Sequence, residues 1–264
     1  MKEFSLNQFS LEKKVALVTG GASGLGKYYS LTLSAAHASV FVVSKTTMGW
    51  DELHVKVEES NGKIAFFQQD LTAQNAAKNI VKACLEKFGK IDILVNNAGL
   101  QLRNDLVDYK DEDWQAVLNI NLNALYYLSH ETAKAMLKQQ SGKIINIGSM
   151  QSYRAGKRIF PYTSSKHAVL GLTKAYANAL IFPYTSSKHA VLGLTKAYAN
   201  ALAPENIQVN GIAPGYVDTP MTGKLQEDPV RNKEIIAHIP AGQWAQPEQL
   251  MGTVFFSRAM QQII

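Results

Sequence analysis

The sequence has little of the material from which several classes of protein are built. Its 264 residues include a single cysteine, Cys84, so an internal disulfide and a cysteine-based zinc cluster are both excluded. No apolar run approaches the length of a membrane span. The first residues, MKEFSLNQFSLEKK, lack the apolar core of a secretory signal. We therefore expect a cytoplasmic protein with no membrane partner.

A block of charge of one sign is also missing. The chain has 27 basic and 21 acidic residues, a net charge of +6, and the basic ones are scattered. Residues 159–180 read IFPYTSSKHAVLGLTKAYANAL, and residues 181–202 repeat the same letters, each copy adding two lysines and no acid. Without a basic run or a stripe interleaved with aromatics, a nucleic-acid partner is not expected.

Short β-branched runs alternate with segments of helical periodicity. Strands are predicted at 15–19, 40–43, 64–67, 91–95, 143–147 and 207–209, and helices at 75–88 and 113–137 among others. Such alternation predicts a parallel sheet covered by helices on both faces. Because no Gly-, Pro- or Ser-rich linker divides the chain, we predict one doubly wound, Rossmann-like α/β domain over residues 1–264.

The first predicted strand runs directly into a glycine-rich turn, TGGASGLG at 19–26. Gly20 permits a tight turn, Gly24 permits close approach of a pyrophosphate, and Gly26 permits close packing of helix on strand. The following helix offers free N–H groups and a positive dipole end to phosphates. In an α/β chain this context favours a dinucleotide site over a simple chain reversal.

The end of the second strand bears on which dinucleotide binds. A carboxylate there would hold the ribose diol and repel a 2′-phosphate, but the chain has Ser44-Lys45 and no acid until Asp51. A hydroxyl and an ammonium suit a 2′-phosphate, so NADP is slightly favoured over NAD. The alternative is that Lys45 is a solvated loop lysine.

Tyr162 and Lys166 are four residues apart, which places them on one face of a helix. A neighbouring ammonium stabilises a phenolate, so this pair can exchange protons near neutral pH. Ser149 ends the fifth predicted strand, at the edge where parallel sheets bind ligands.

In their order and spacing these motifs resemble the short-chain dehydrogenase/reductase family over nearly the whole chain. They are TGGASGLG at 19–26, NNAG at 96–99, Ser149, YTSSK at 162–166 and PG at 214–215. The resemblance implies that Tyr162 is the general acid/base, that Ser149 positions the carbonyl, that Lys166 holds the nicotinamide ribose, and that Asn121 supports a proton-relay water. No metal is expected.

The resemblance also implies a cofactor-binding set. It comprises Gly20, Ser23, Gly24, Leu25, Gly26, Ser44, Lys45, Asp70, Leu71, Asn97, Ala98, Gly99, Tyr162, Lys166, Pro214, Gly215, Val217 and Thr219. The family tends to form homotetramers, so a homo-oligomer is expected, subject to the altered C-terminus described below.

Within the family, stretches such as IPAGQWAQPEQLMG at 239–252 resemble enzymes that interconvert keto and hydroxy forms of deoxy sugar acids such as 2-dehydro-3-deoxy-D-gluconate. Arg103, Gln151 and Arg154 are the candidate substrate residues, and Lys157 and Arg158 lie nearby. The guanidinium groups of the arginines suit a substrate carboxylate, with solvated loop charges as the alternative. Gluconate 5-dehydrogenase and 3-oxoacyl-carrier-protein reductase activities remain rivals.

Two features depart from the family pattern. The repeat supplies a second tyrosine–lysine pair, Tyr184 and Lys188. We expect the first copy to be the catalytic one, because it keeps the usual spacing between Ser149 and Tyr162. Pro183 argues against one continuous double helix, and the surplus helix should expose Val, Leu and Tyr side chains.

The tail FFSRAMQQII at 255–264 reads like a frameshifted end, so the last strand is expected to be missing. Loss of that strand would expose a sheet edge. A catalytically impaired dinucleotide-binding product of a damaged gene is therefore the alternative to an active enzyme.

Overall fold

The computed structural model describes residues 10–153, 155–156, 158–178, 182–202, 209, 213–219 and 222–250. The chain divides into two compact units, Met1–Ala201 and Leu202–Ile264. The strands and the candidate catalytic residues belong to the first unit.

The first unit is built on a five-stranded parallel sheet with strand order β3-β2-β1-β4-β5. The strands are β1 (Val15–Thr19), β2 (Ser39–Ser44), β3 (Lys63–Gln68), β4 (Ile93–Asn96) and β5 (Lys143–Asn146). Parallel neighbours need a crossover between strands, and helices provide it here. β2 and β3 lie in sequence on one side of β1, and β4 and β5 lie in sequence on its other side.

Seven helices are described in this unit. They are α1 (Gly24–Ala35), α2 (Trp50–Glu59), α3 (Ala76–Phe88), α4 (Asp111–Leu118), α5 (Ala124–Gln139), α6 (Phe160–Asn178) and α7 (Phe182–Leu202). A π-helical turn, Asn119–Asn123, joins α4 to α5. Short 3-10 turns occupy Leu106–Asp108 and Met150–Ser152.

Alternate residues of the central strands enter two separate hydrophobic clusters. Val15 and Leu17 of β1 pack with residues of α3 and α5, whereas Ala16 and Val18 pack with residues of α2. Successive side chains of a strand point to opposite faces, so a strand that is apolar throughout must be covered on both sides. All five residues of β1, with the sequence VALVT, are buried, as expected for a strand covered on both faces.

The predicted α/β class and parallel sheet are confirmed. The first five predicted strands overlap β1 to β5, and the helix predicted at 75–88 corresponds to α3. The helix predicted at 113–137 was wrong in one respect, because the π-helical turn interrupts it. Of the strand predicted at 207–209 only Val209 is described, and the tail at 255–264 lies outside the described residues.

The two copies of the repeat form separate helices, α6 and α7, rather than one continuous helix. The first copy is the buried one: Thr163, Ser165 and Ala168 have no exposed surface. In the second copy Val191 and Leu192 are 56% and 49% exposed. The first copy therefore packs into the body of the unit, while α7 presents apolar side chains to solvent.

The described residues of the second unit include two short helices, α8 (Gly223–Glu227) and α9 (Pro229–His238). The Asp228 side chain caps α9 by accepting hydrogen bonds from the next two backbone N–H groups, and a proline at the first helical position fits the free N-terminus. Val217 and Ala245 form an isolated parallel bridge. In the part of the chain that the structure describes, no helix is long and apolar enough to span a membrane.

Candidate active site

The strand order places a topological switch point between β1 and β4. The chain leaves β1 toward β2 on one side and returns to β4 on the other. Ligands of open parallel sheets bind beyond the carboxyl ends of the strands at such a point. The glycine-rich turn follows β1 there, and the segment Asn96–Gly99 follows β4.

The glycine-rich turn has the conformation that its sequence predicts. Gly20 has φ +60°, in the left-handed region that favours glycine. A Cβ on Gly26 would collide with the carbonyl oxygen of Gly20, so only glycine allows α1 to begin this close to the turn. A Cβ on Gly24 would meet no atom within 4 Å, so the backbone at this position borders open space.

A cavity of about 440 Å³ lies beside this turn. Eight of the predicted cofactor residues line it: Gly20, Ser23, Ser44, Lys45, Asp70, Leu71, Ala98 and Gly99. Its other lining residues include Thr46, Gln69, Thr72, Asn119 and Ile120, which sequence reasoning missed. These lie next to predicted residues or in the π-helical turn, and no motif marks them.

Two charged residues in the cavity lining form an ion pair. Lys45 Nζ lies 2.9 Å from Asp70 Oδ2. The hydrogen bond from Lys45, together with bonds from Thr72, lowers the pKa of Asp70 to about 2, so the carboxylate is ionised at neutral pH. The ammonium predicted to meet a 2′-phosphate is thus already bound to a carboxylate.

Thr19 joins the turn after β1 to the segment after β4. Its hydroxyl accepts hydrogen bonds from the backbone N–H groups of Asn97 and Ala98, at 3.0 and 3.1 Å. The Asn97 amide donates in return to the Thr19 carbonyl. Thr19 was missed by sequence reasoning, although its position between a strand and a glycine turn was a usable signal.

Ser149 begins the turn that follows β5. Its hydroxyl accepts a hydrogen bond from Gln151 N, and its own N–H donates to the Ser152 hydroxyl at 3.2 Å. The Ser152 hydroxyl in turn donates to the Lys166 carbonyl at 2.8 Å. Ser152, another residue that sequence reasoning missed, therefore connects the Ser149 turn to α6.

Lys166 is buried beside Tyr162. Its Nζ donates a 2.6 Å hydrogen bond to the Ile147 carbonyl and lies 5.7 Å from the centre of the Tyr162 ring. Burial lowers the pKa of Lys166 from 10.5 to about 8, because desolvation disfavours the ammonium. The lysine can thus carry its charge at neutral pH while sitting close to the tyrosine, as the four-residue spacing predicts.

Asn121 lies in the π-helical turn and is 1% exposed. Its amide oxygen accepts from Leu100 N at 2.7 Å, and its amide nitrogen donates to the Leu100 carbonyl and to the Ser165 hydroxyl. Ser165 also donates to the Tyr162 carbonyl at 2.8 Å. The side chain of Asn121 thus fastens the segment after β4 to the helix that carries Tyr162. A π-helical turn often marks a functional position in a helix.

Residues 14–181 match the family profile described as short chain dehydrogenase. The chain belongs to the short-chain dehydrogenase/reductase family. Residues 181–257 also match a profile described as Enoyl-(Acyl carrier protein) reductase. Both matches agree with the site, in which a glycine-rich turn, a serine, and a tyrosine four residues before a lysine occur on one α/β unit.

Several relatives resemble this dehydrogenase along most of their length. The oxidoreductase YgcW of Escherichia coli (strain K12) is 40% identical, over 97% of this chain and 89% of its own. The 2-dehydro-3-deoxy-D-gluconate 5-dehydrogenase of Bacillus subtilis (strain 168) is 39% identical, over 94% of this chain and 88% of its own. A similar crystal structure is that of a gluconate 5-dehydrogenase from Burkholderia cenocepacia J2315 in complex with NADP and tartrate. It has a TM-score of 0.58 and 29% identity, over 95% of this chain and 90% of its own.

The second copy of the repeat places a tyrosine and a lysine on α7. Lys188 is exposed, in contrast to the buried Lys166. The side chain of Tyr184 lies outside the described residues. In this dehydrogenase the geometry around Ser149 therefore involves the first copy, and the catalytic role of that copy stays a prediction.

The candidate substrate residues lie on segments that follow β4 and β5. Asn104 N and the Tyr109 hydroxyl both donate to the Arg158 carbonyl, which brings the two segments together. Arg158 itself pairs with Asp105 at 2.9 Å, so its guanidinium is already bound to a carboxylate. Arg103 is exposed.

Two further substrate-side candidates, Arg154 and Lys157, lie outside the described residues. Gln151 Oε1 is buried and has no hydrogen-bond partner within the described part of the chain.

Four predicted cofactor residues, Pro214, Gly215, Val217 and Thr219, belong to the second unit. Val217 is in the isolated bridge, and Thr219 accepts and donates hydrogen bonds with Thr222. Of the first-unit candidates that do not line the cavity, Leu25 is 63% exposed in the first turn of α1. Among the described residues, no group of three His, Cys, Asp or Glu side chains is placed to hold a metal ion.

Proposed function

We propose that this dehydrogenase acts on the carbonyl or hydroxyl group of a deoxy sugar acid such as 2-dehydro-3-deoxy-D-gluconate. The observation that carries the proposal is the burial of Lys166 beside Tyr162, on a helix that is hydrogen-bonded to the Ser149 turn. The substrate class is supported by the relative named 2-dehydro-3-deoxy-D-gluconate 5-dehydrogenase and by the gluconate 5-dehydrogenase structure that contains tartrate, itself a hydroxy acid.

The cavity beside the glycine turn fits a dinucleotide. The N-terminus of α1 and the open backbone at Gly24 suit a pyrophosphate, and the polar lining at Ser44 and Lys45 suits an adenosine ribose. When bound, the nicotinamide group supplies or accepts the hydride. The protein's own residues then have to align the substrate and move one proton.

Tyr162 is the proton donor and acceptor in this proposal. During reduction its hydroxyl gives a proton to the substrate oxygen, and during oxidation it takes that proton back. The buried Lys166 ammonium favours the phenolate that remains after proton transfer. The Ser149 hydroxyl, held at the start of its turn, positions the substrate oxygen.

Recognition of the acid group is assigned to the segments after β4 and β5. Because Arg158 is paired with Asp105, Arg103 and Arg154 are the better candidates for binding a carboxylate. Gln151 Oε1, which has no hydrogen-bond partner among the described residues, suits acceptance of a hydrogen bond from a substrate hydroxyl. NADP is the proposed preference, because Lys45 lines the cavity and the B. cenocepacia structure contains NADP.

A turnover screen on the purified full chain tests this function. It follows cofactor reduction with 2-dehydro-3-deoxy-D-gluconate and with gluconate, and cofactor oxidation with keto sugar acids and with a 3-oxoacyl thioester, each with both cofactors. The expected result is the highest kcat/KM on a deoxy sugar acid. Turnover confined to the thioester would overturn the substrate assignment, and cofactor binding without any turnover would identify an impaired enzyme.

A further inference from the structure

The side chain of Tyr109 fastens together the two segments that follow β4 and β5. Its hydroxyl donates to the Leu102 carbonyl oxygen at 2.6 Å and to the Arg158 carbonyl oxygen at 3.0 Å, sharing one proton between them. Leu102 immediately precedes Arg103, and Arg158 lies four residues before Tyr162. One hydroxyl group therefore connects the backbone beside a candidate substrate residue to the backbone that leads to the candidate proton donor.

The Arg158 backbone and side chain are held by other contacts of the same segment. Asn104 N donates to the Arg158 carbonyl at 3.2 Å, and the Arg158 guanidinium pairs with Asp105 at 2.9 Å. The Asn104 side-chain amide also donates to Asp113 of α4 at 3.2 Å. We call the contacts of Tyr109, Asn104 and Asp105 with Arg158 the Tyr109 clasp. It fixes the segment after β4 against the chain that enters α6.

The ring of Tyr109 contacts the start of α6 independently of these hydrogen bonds. It meets the ring of Phe160 edge to face, with centroids 5.4 Å apart and an interplanar angle of 79°. Phe160 is the first residue of α6 and is buried. Aromatic pairs favour this edge-to-face arrangement. A phenylalanine at position 109 would therefore keep the ring contact and lose only the hydroxyl.

The backbone of Arg158 adopts a conformation that its surroundings have to maintain. Its φ is +64°, in the left-handed region that residues with a Cβ rarely adopt. Such a conformation persists only where neighbouring contacts hold it, and it occurs often near functional sites. At Arg158 the Tyr109 clasp supplies these contacts.

The Tyr109 hydroxyl keeps its proton at neutral pH and so remains a donor. Burial raises the pKa of Tyr109, and the charge of Asp113 raises it further, whereas the positive charges of Arg103 and Arg158 oppose the increase. Arg103 thus lies within electrostatic reach of this hydroxyl, and its side chain is exposed.

We propose that Tyr109 is a positioning residue for recognition of the substrate's acid group. By holding the Leu102 carbonyl against the entry to α6, it sets the separation between Arg103 and Tyr162. One substrate then reaches both, with its carboxylate at the guanidinium and its reacting oxygen at the phenol. The inference rests on the proposed function, in which Arg103 is one of two candidates for binding the carboxylate.

Isothermal titration calorimetry on the full chain saturated with NADPH tests the clasp without turnover. Gluconate is the probe, because NADPH cannot pass a hydride to a hydroxyl group, and gluconamide is the matched neutral ligand. Tyr109→Phe should weaken gluconate binding about 10-fold, as expected for loss of one net hydrogen bond, and gluconamide binding by less than about twofold. Equal losses for the two ligands, or no loss for gluconate, would overturn the proposal.

A double variant shows whether Tyr109 acts through Arg103. Arg103→Gln alone should weaken gluconate binding at least about 10-fold, because it removes a charged partner of the carboxylate. In that background Tyr109→Phe should add less than about twofold, since the guanidinium that it positions is gone. If the two effects multiplied instead, Tyr109 would act by another route and the proposal would be wrong.

Turnover of a deoxy sugar acid provides a second readout. Tyr109→Phe should raise KM about 10-fold and leave kcat within about twofold, because the proton donor and the cofactor site are unaltered. Tyr127→Phe, at an exposed position of α5, is the matched control and should change neither constant. A lower kcat with an unchanged KM in Tyr109→Phe would contradict a role in acid recognition.

Failure of the proposed function gives a different result from failure of this inference. If the original chain bound gluconate no better than gluconamide, the acid site itself would be wrong, and the inference would fall with it. If Arg103→Gln weakened gluconate binding and Tyr109→Phe did not, the acid site would stand and only the role of Tyr109 would be overturned.

Discussion

The ammonium of Lys166 donates a 2.6 Å hydrogen bond to the main-chain carbonyl of Ile147, the residue that follows β5. This bond ties the helix that carries Tyr162 to the carboxyl end of the sheet. Burial of the ammonium disfavours its charged form, so the pKa of Lys166 falls to about 8 despite this bond. Lys166 is therefore expected to support activity while lowering the stability of the folded protein.

Replacement of this lysine should raise stability and remove activity. The lowered pKa of Lys166 means that burying its ammonium destabilises the folded protein by about 3 kcal/mol below pH 8. The hydrogen bond to Ile147 offsets about 1 kcal/mol of this cost. Lys166→Met should thus gain about 2 kcal/mol in the free energy of unfolding at pH 7. The same variant should lose at least about 100-fold in kcat/KM.

The pH dependence of that gain distinguishes a charge effect from a packing effect. Between pH 8 and 10.5 the folded protein releases the Lys166 proton before the unfolded chain does, so the penalty decreases as the pH rises. Denaturant unfolding of both proteins at pH 7 and pH 10 measures the difference. A stabilisation of Lys166→Met that is the same at both pH values would contradict this explanation.

Asn121 provides a second test, because its amide makes three hydrogen bonds in a buried position. Asn121→Ala leaves both backbone groups of Leu100 without this partner, so it should lose about 3 kcal/mol in the free energy of unfolding. Activity should fall as well, since the position of α6 depends on the bond to Ser165. Thermal unfolding and a turnover assay measure the two effects.

The control for Asn121 is in the same π-helical turn. Asn123 is exposed, and its amide nitrogen donates to the Asn119 amide oxygen at 2.9 Å, within the same turn. Asn123→Ala should change the free energy of unfolding by less than about 0.5 kcal/mol. If the two variants were equally stable, the role given to the Asn121 amide would be wrong.

The Lys45–Asp70 pair should govern the choice between the two cofactors. Lys45→Gln removes the only cation that we assign to a 2′-phosphate, so the KM for NADPH should rise about 10-fold while that for NADH changes little. Asp70→Asn releases Lys45 and removes a nearby negative charge, so the KM for NADPH should fall by a factor of about 3 to 5. Because the pKa of Asp70 is about 2, its carboxylate stays ionised between pH 6 and 8 and does not itself make either effect depend on pH.

Initial rates with each cofactor measure this preference. Lys82→Gln, which removes an exposed ion pair with Glu86, is the control. Equal effects of Lys45→Gln on both cofactors would show that Lys45 does not contact a 2′-phosphate.

Much of the first unit could be predicted from the sequence, because its signals are local. The strands β1 and β2 are short apolar runs, and the turn at 19–26 has glycines where a positive φ and close packing require them. The buried Lys166 beside Tyr162 follows from a four-residue helical spacing. Each of these features depends on residues that are adjacent in the chain.

The features that the sequence did not predict depend on distant residues. The π-helical turn at Asn119–Asn123 places Asn121 where it binds Leu100 and Ser165, and no periodicity indicates those partners. The packing of His167 against Gly193 could not be predicted either, because a sequence repeat does not show which surfaces of its two copies contact each other. Sequence reasoning anticipated two separate helices, but not that they would form an internal pair.

The most direct test of the account is to exchange the two tyrosines of the repeat for phenylalanine, one at a time, and to measure hydride transfer. Tyr162→Phe should lower kcat at least about 1,000-fold with little change in cofactor affinity, because it removes only the proton that the phenol supplies. Tyr184→Phe should leave kcat within about twofold of the original chain. Loss of turnover in Tyr184→Phe, with Tyr162→Phe still active, would contradict the assignment of catalysis to the first copy.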